Sequence, residues 1–194
     1  MDRLAPRALL APLSAAPLSA ALLAACGSDP VSYSAPVGLS LDARSGDVVG
    51  GSISADKNVN TESGNPYGAF VNGAVQALGR DPSRIAVTSA TLELESSSTG
   101  VASLQEVFAG TVTLGFVMNG SSTVYPVASV ASPTGAGPVA LSVSFDSGSM
   151  PPADYADLAG GSFKVELDGG AAPGFAAAAA TARMTATLGF VAYE

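Results

Sequence analysis

Apolar and polar residues alternate with a period of two along much of the chain beyond residue 37. The alternation is cleanest in the stretches 37–41, 139–145 and 163–167, where every second residue is apolar. Because successive side chains of a β-strand point to opposite faces, this period is typical of strands with one buried face. About eight such strands, separated by Gly- and Pro-rich turns, predict a mainly β fold: a two-sheet antiparallel sandwich with Greek-key or jelly-roll crossovers. A closed barrel is the main rival, and an α+β fold with a single sheet would need more helix.

One segment, 66–78, has helical spacing, because its apolar residues recur at intervals of three and four. Asn65 fits the N-cap, Pro66 fits the first helical position, and Gly79 fits the C-cap. Two glycines inside the segment each cost about 1 kcal/mol relative to alanine, so this helix depends on packing against the sheet. These glycines are Gly68 and Gly73.

The sequence also suggests how some strands pair. Residues 37–42 and 48–54 are separated by a short turn, which predicts a hairpin whose second strand has a bulge at Gly50-Gly51. Residues 111–118 (TVTLGFVM) and 185–192 (TATLGFVA) are nearly identical, but the match does not extend into their flanks. We interpret them as two similar core strands rather than a duplicated half-domain, and as candidates for neighbours in one sheet.

Local irregularities are predicted at four places. The parity of the apolar residues changes near Thr88–Ser89, which indicates a bulge or bend. Asn119-Gly120 is a strong hairpin-turn signal, and Pro126 favours an edge position for its strand. Residues 154–159 (DYADLA) are compatible with a helical turn.

The first twenty-six residues differ from the rest of the chain. Arg3 and Arg7 form a basic start, and residues 8–25 carry no charge but are interrupted by two prolines. The run is too short and too broken for a spanning helix and suits the apolar region of a signal peptide. It ends in Leu23-Ala24-Ala25-Cys26, with the only cysteine of the chain at its last position. This order resembles the signal peptide and lipobox of a bacterial lipoprotein; the alternatives are a secretory peptide cut near Ala25 and an uncleaved anchor.

The resemblance implies that Cys26 carries a diacylglyceryl group on its sulfur, becomes the new N-terminus and holds the protein on a membrane through its acyl chains. The residue after it is Gly27 rather than an acid, which in this family favours the outer membrane, on its periplasmic or surface face. The implied organisation is a signal peptide over 1–25, a lipidated cysteine with a flexible tether over 26–36, and one β-sandwich domain over 37–194. The order strand 90–95, turn, strand from 108 also loosely resembles uncharacterised envelope lipoproteins of the β-sandwich type.

The charge and cysteine content of the chain limit which partners and which stabilising bonds are expected. The full chain has eight basic and sixteen acidic residues, of which Arg3, Arg7 and Asp2 lie in the first 25 positions. The chain after Ala25 therefore has six basic and fifteen acidic residues, a formal charge of −9. Such a surface repels nucleic acid, so no nucleic-acid partner is expected, and the charge is most simply explained by solubility. With one cysteine, the domain has no internal disulfide and must be stable through apolar burial and backbone pairing.

The residues that usually carry catalysis are scarce. The chain has no histidine and no second cysteine, which removes Ser-His-Asp and Cys-His arrangements and a zinc site, and no phosphate-binding glycine motif occurs. We therefore predict no cofactor, no metal and no catalytic residue. Two carboxylate pairs at strand spacing are the remaining candidates for a hydrolase, Glu93 with Glu95 and Glu166 with Asp168, although a solvated outer face explains both pairs better.

Two ligand hypotheses remain open. Loop acids could converge on calcium, although the EF-hand spacing is missing; they are Asp146, Asp154, Asp157 and Asp168. Tyrosines could replace the missing tryptophan as stacking platforms for a glycan; they are Tyr33, Tyr125, Tyr155 and Tyr193, and the parity of Tyr125 suggests that it is exposed. The leading hypothesis is a lipid-anchored, non-catalytic envelope protein with a structural or protein-interaction role. A glycan- or small-ligand-binding module is the alternative, and a carboxylate-dependent hydrolase is a remote one.

Overall fold

A computed structural model describes residues 31–194. Within this range the chain forms nine strands and two α-helices. The strands are β1 (Ser32–Arg44), β2 (Ser52–Val59), β3 (Arg84–Leu94), β4 (Phe108–Met118), β5 (Val124–Ala131), β6 (Val139–Ala140), β7 (Ser142–Val143), β8 (Phe163–Ala171) and β9 (Thr181–Tyr193). The helices are α1 (Pro66–Leu78) and α2 (Pro152–Gly160).

The strands form two antiparallel sheets that pack face to face, which confirms the predicted sandwich. Sheet I has the order β1-β9-β3-β6 and sheet II has the order β2-β8-β4-β5-β7. The chain alternates between the sheets so that β1 pairs with β9, β2 with β8, and β4 with β5. This nested pairing is the strand order of a jelly roll. Nine strands form instead of about eight because residues 139–143 cross from one sheet to the other at Leu141, which divides the predicted strand into β6 and β7.

The two sides of the sandwich are built differently. On one side, the crossover supplies a two-residue edge strand to each sheet, β6 to sheet I and β7 to sheet II. On the other side the edges are the long strands β1 and β2, which lie close to each other. The first side is closed by the chain itself, whereas the second has long strand edges.

Helix α1 begins and ends where the sequence predicts. The Asn65 side chain accepts a hydrogen bond from the backbone N–H of Tyr67, 3.0 Å, and Gly79 closes the helix in the left-handed conformation at φ 71°. Its internal glycines permit close approaches: a Cβ at Gly68 would lie 2.8 Å from the backbone oxygen of Thr61, and one at Gly73 would meet the ring of Tyr33. The residues that weaken the helix in isolation therefore bring it close to its neighbours.

Helix α2 is longer than the predicted turn, since it begins at Pro152 and runs to Gly160. Gly161 ends it in the left-handed conformation, at φ 68°. A Cβ at Gly161 would lie 2.9 Å from the backbone of Asn60 and the side chain of Thr61, while Thr61 also contacts Gly68 of α1. The loop at 60–61 is thus wedged between the two helices, at the end of the sandwich where β1 begins.

The core lies between the sheets and contains the apolar residues that the alternation predicts. In β9, Met184, Ala186, Leu188 and Phe190 are all buried, while the residues between them are half-buried. Tyr67 of α1 closes one end of this core and packs edge-on against Phe163 and Phe190. Its hydroxyl donates to the backbone oxygen of Leu158, 2.9 Å.

The two near-identical segments, in β4 and β9, are not neighbours as suggested but lie in opposite sheets. Their equivalent phenylalanines, Phe116 and Phe190, stack across the core with centroids 5.9 Å apart and an interplanar angle of 8°. Their equivalent glycines, Gly115 and Gly189, each lie where the pairing with a neighbouring strand shifts by one residue. The repeated TLGF motif thus builds the middle of each sheet in the same way.

Two predictions about the first strands are wrong. The hairpin of 37–42 with 48–54 does not form, because β2 belongs to sheet II and Gly50-Gly51 makes a turn closed by mutual hydrogen bonds between Val49 and Ser52. The flexible tether over 26–36 is also too long, because β1 begins at Ser32 and pairs with β9 from its first residue. Tyr33 and Ala35 already pack toward the core there.

The irregularity of β5 corrects a further prediction. Val127 and Ala128 are both buried, because the register with β4 skips Val127. This bulge reverses the expected parity, so Val124 is exposed and Tyr125 is half-buried against the core. Pro126 lies at the bulge, beyond the residues that pair with β7, as expected for an edge segment. The predicted bulge in β3 is confirmed between Val87 and Ser89.

Candidate functional site

The two carboxylate pairs lie on opposite sheets. Glu93 faces outward on β3, and Glu95 follows the strand and accepts hydrogen bonds from Thr185, 2.8 Å, and Ser97, 3.1 Å. Glu166 and Asp168 point outward from β8 in sheet II, where Glu166 accepts from Ser54, 3.2 Å. The two pairs are therefore separated by the full thickness of the sandwich, and each pair lies on the outer face of its own sheet.

Asp146 has a structural partner. It accepts a double hydrogen bond from the guanidinium of Arg84, through Nε at 2.8 Å and through Nη2, and one from the backbone N–H of Gly148, 2.9 Å. The hydrogen bond from Arg84 holds the pKa of Asp146 below its ordinary value. The same guanidinium lies 4.7 Å above the ring of Tyr193, so this group ties the ends of β7, β3 and β9 together.

Asp154 and Asp157 of α2 fasten the β4–β5 turn. Asp154 is 5% exposed and accepts a hydrogen bond from the Tyr125 hydroxyl, 2.5 Å, which lowers the pKa of Asp154. Asp157 accepts from the backbone N–H of Gly120, 2.9 Å. Asp168 lies on β8, toward the opposite end of the sandwich. The structure therefore does not bring the four predicted calcium ligands together.

The four tyrosines proposed as stacking platforms are all half-buried and take part in contacts within the protein. Tyr33 packs against Phe70 of α1, with ring centroids 6.0 Å apart. Tyr125 donates to Asp154, as described above, and Tyr155 donates to the backbone oxygen of Pro82, 2.5 Å. Tyr193 lies beneath Arg84. The structure therefore does not assemble these rings into one exposed platform.

The direction of β1 distinguishes the two ends of the sandwich. At the first end, named here the Ser32 end, β1 begins and β9 finishes, and the backbone N–H of Glu194 donates to the oxygen of Val31, 3.1 Å. Both helices and the β4–β5 turn also lie there. At the second end, the Arg44 end, lie the loops at 45–51, 95–107, 132–138 and 172–180. Because an antiparallel strand rises about 3.4 Å per residue, the thirteen residues of β1 separate the ends by about 40 Å.

The loops of the Arg44 end surround two adjacent depressions. One, of about 500 Å³, lies beside Glu93, Glu95 and Val101, and the other, of about 360 Å³, lies beside Val101, Glu106 and Phe175. Both are open to solvent along one side. Side-chain hydrogen bonds hold the loops that form their walls. Glu106 accepts a hydrogen bond from the backbone N–H of Ala102, 2.8 Å, and Gln105 accepts one from the backbone N–H of Gly135, 2.6 Å.

A third depression, of about 470 Å³, runs between the edges of β1 and β2 and is named here the edge groove. Its lining is polar and carries three carboxylates and one ammonium group. The lining residues are Ser40, Asp42, Asp47, Ser54, Ala55, Asp56 and Lys57. Three carboxylates and one ammonium group give the lining a formal charge of −2, and the Lys164 ammonium, 4.0 Å from Asp56 and at the limit of an ion pair, offsets part of it.

No protein-family model matches the chain, and no curated protein matches it at a significant level. Within residues 31–194, neither helix is long and apolar enough to cross a membrane. The same residues contain no cluster of three or more carboxylate, cysteine or histidine side chains arranged to hold a metal ion. Cys26 and the residues predicted to form a lipobox with it lie outside the described residues.

Sequence reasoning missed the edge groove. Its residues come from two strands that were expected to form one hairpin and that instead edge two different sheets. The polar residues at 52–58 carry a partial signal, because an open strand edge is often protected by charged residues.

Proposed function

We propose that this protein is a non-catalytic envelope lipoprotein that is held on a membrane through Cys26 and presents the Arg44 end of its sandwich to a protein partner. The proposal depends on one observation. The sandwich begins at Ser32, six positions after Cys26, and its first residues are fixed to β9 and to Glu194.

The short distance along the chain orients the domain. The five residues between Cys26 and Ser32 span less than about 20 Å even when fully extended. An acylated Cys26 would therefore hold the Ser32 end close to the bilayer, with the Arg44 end about 40 Å farther out. The loops around the two adjacent depressions would then face away from the membrane, where a partner can reach them.

The chemistry of the candidate residues supports an interaction role over a catalytic one. Three of the four acids that the sequence offered for calcium binding serve as acceptors that fix turns and strand ends; they are Asp146, Asp154 and Asp157. By analogy with lipoproteins, Gly27 after Cys26 favours the outer membrane.

Anchoring is tested by fractionating cells that express the chain or its Cys26→Ser variant, with Ser28→Ala as the matched control. We expect the wild type and the control in the membrane fraction, with a diacylglyceryl mass on the first residue of the processed protein. Cys26→Ser should move to the soluble fraction. An unmodified thiol in the wild type, or membrane association of Cys26→Ser equal to wild type, would refute the anchoring.

Orientation is tested with tryptophan, because the chain has none. Val31 and Val49 are exposed valines at the Ser32 and Arg44 ends, 51% and 79% accessible, so Val31→Trp and Val49→Trp form a matched pair. In vesicles that carry a headgroup-labelled acceptor lipid, energy transfer from Val31→Trp should be strong and that from Val49→Trp weak. Equal transfer from both positions would contradict the orientation.

A further inference from the structure

The hydrogen bonds between β1 and β9 determine which backbone groups of β1 are left free at its outer edge. The N–H of Glu194 donates to the oxygen of Val31, and the N–H of Ser45 donates to the oxygen of Ala180, 3.0 Å. Both pairs belong to the β1–β9 register and place the odd-numbered residues of β1 in the hydrogen-bonded positions. The N–H and C=O groups of the even-numbered residues therefore point away from β9, toward the open side of the sandwich.

Proline occurs in β1 at one of these outward positions. Pro36 is even-numbered, so its missing N–H removes no bond of the β1–β9 ladder. It divides the free edge into two parts. Before it, Tyr33 packs against α1. After it, Gly38, Ser40 and Asp42 present three successive sets of outward backbone groups, and none of them makes a backbone bond to another segment in the part of the chain that the structure describes. Arg44 then caps the 3-10 turn at 45–47.

The edge of β2 faces the same side with the same pattern. The N–H of Ala171 donates to the oxygen of Gly51, 2.8 Å, which places the odd-numbered residues of β2 toward β8. The outward groups of Ser52 are used by Val49, whereas those of Ser54 and Asp56 make no backbone bond within the described range. Both free edges border the edge groove, whose lining holds three carboxylates and one ammonium group.

We propose that the β1 edge at residues 38–44 binds an extended, lysine- or arginine-bearing segment of another protein as an added strand of sheet I. The outward backbone groups supply the ladder hydrogen bonds, as in other complexes formed by strand addition. The carboxylates of Asp42, Asp47 and Asp56 select cationic side chains on that segment. Pro36 sets the limit of the docking site toward the Ser32 end.

A second copy of this chain fits this edge poorly, an argument that relies on the proposed anchoring. A symmetric dimer would pair two β1 edges antiparallel, which places the two Ser32 residues at opposite ends of the pair. Because each short tether holds its Ser32 close to the bilayer, both copies cannot be anchored in one membrane in this arrangement. A partner segment has no such constraint.

The test uses the full chain with Cys26→Ser, so that it does not depend on anchoring. The probe is a capped peptide, Thr-Lys-Val-Lys-Val-Lys-Thr, and the control probe has glutamate in place of lysine. Binding is followed by amide chemical shifts and hydrogen exchange. The lysine peptide should protect the amides of Gly38, Ser40 and Asp42 from exchange and bind more weakly at high salt, and the glutamate peptide should bind less well.

Ser40→Pro removes one outward N–H without removing a ladder bond, and should weaken binding about five- to tenfold, the factor for one lost backbone hydrogen bond. Ser34→Pro makes the same change on the other side of Pro36 and should leave binding unchanged.

If Ser40→Pro does not fold, Asp42→Lys should reverse the preference between the two peptides. Equal binding of both peptides, protection at another surface, or self-association that Ser40→Pro abolishes would overturn the proposal. Failure of anchoring would appear only in the fractionation of Cys26→Ser.

Discussion

Replacement of Gly68 by alanine should destabilise the protein, although alanine is the better helix former. In an isolated helix the change gains up to about 1 kcal/mol. Here the added Cβ would lie 2.8 Å from the backbone oxygen and 2.9 Å from the carbonyl carbon of Thr61. These are backbone atoms of a loop wedged between α1 and α2, so relief requires movement of a helix or of the loop.

Overpacking of this kind costs about 1–3 kcal/mol, which equals or exceeds the gain in helix propensity. We expect a net loss of up to about 2 kcal/mol in the free energy of unfolding. For a domain of this size that corresponds to a fall in Tm of about 2–4 °C per kcal/mol. Urea unfolding followed by circular dichroism measures the loss directly, as a shift in midpoint at constant slope.

Gly160→Ala is the matched control. Gly160 is also helical, in the last turn of α2, but a Cβ there would meet no atom within 4 Å. That variant should be as stable as wild type or up to about 1 kcal/mol more stable. If Gly68→Ala proves as stable as Gly160→Ala, the close approach of Thr61 to α1 does not constrain the fold, and the explanation given for this glycine is wrong.

Two further predictions concern the stacked rings of the core and the free energy of unfolding at low pH. Phe116→Leu and Phe190→Leu should show a coupling of about 0.5–1.5 kcal/mol in a double-mutant cycle, because the two rings stack. Phe116→Leu and Phe175→Leu form the control pair and should be additive, because these two rings do not stack. Additivity of the first pair would refute direct coupling. The pKa of Asp154 is lowered in the fold, so its contribution is present above its unfolded pKa and is lost as the pH falls through the lowered value. The stability difference between wild type and Tyr125→Phe should therefore shrink below about pH 4. The difference between wild type and Tyr155→Phe should stay constant, because that variant loses a hydrogen bond to a carbonyl oxygen, which does not titrate. Urea midpoints measured from pH 3 to 7 test both expectations.

Local features of the fold could be predicted from the sequence because their causes are local. The bounds of α1 follow from Asn65, Pro66 and Gly79, each of which acts within one helical turn. The bulge at Thr88 is visible as a change of parity within one strand. The alternation also identifies the core residues of β9, because it needs no knowledge of which strands pair.

Pairing and exposure could not be predicted in the same way. Alternation says which face a strand buries but not which strand lies beside it, so the assignment of β1 and β2 to one hairpin was wrong. One skipped residue, Val127, was enough to reverse the expected exposure of Tyr125. The start of β1 was missed because Ser-Tyr-Ser-Ala-Pro has the composition of a linker, and its proline is harmless only at an outward-facing position of an edge.

The edge groove could not be predicted for the same reason, since its two walls come from strands in different sheets. The lipobox prediction depends on residues outside the described range and remains a prediction. A protein with neither histidine nor a second cysteine offers few sequence signals for chemistry. The free backbone groups of β1 have no sequence signature apart from the position of Pro36.

The thirteen residues of β1 also determine how the molecule would bear mechanical load. A pull on Cys26 acts at the first residue of β1, and a partner held at 38–44 acts on the same strand farther along. Tension between membrane and partner would then run along the covalent backbone of β1 and load the hydrogen bonds between β1 and the added strand all at once, in shear. A force applied across the strand would instead break them one at a time, so the geometry favours resistance to forces directed away from the bilayer.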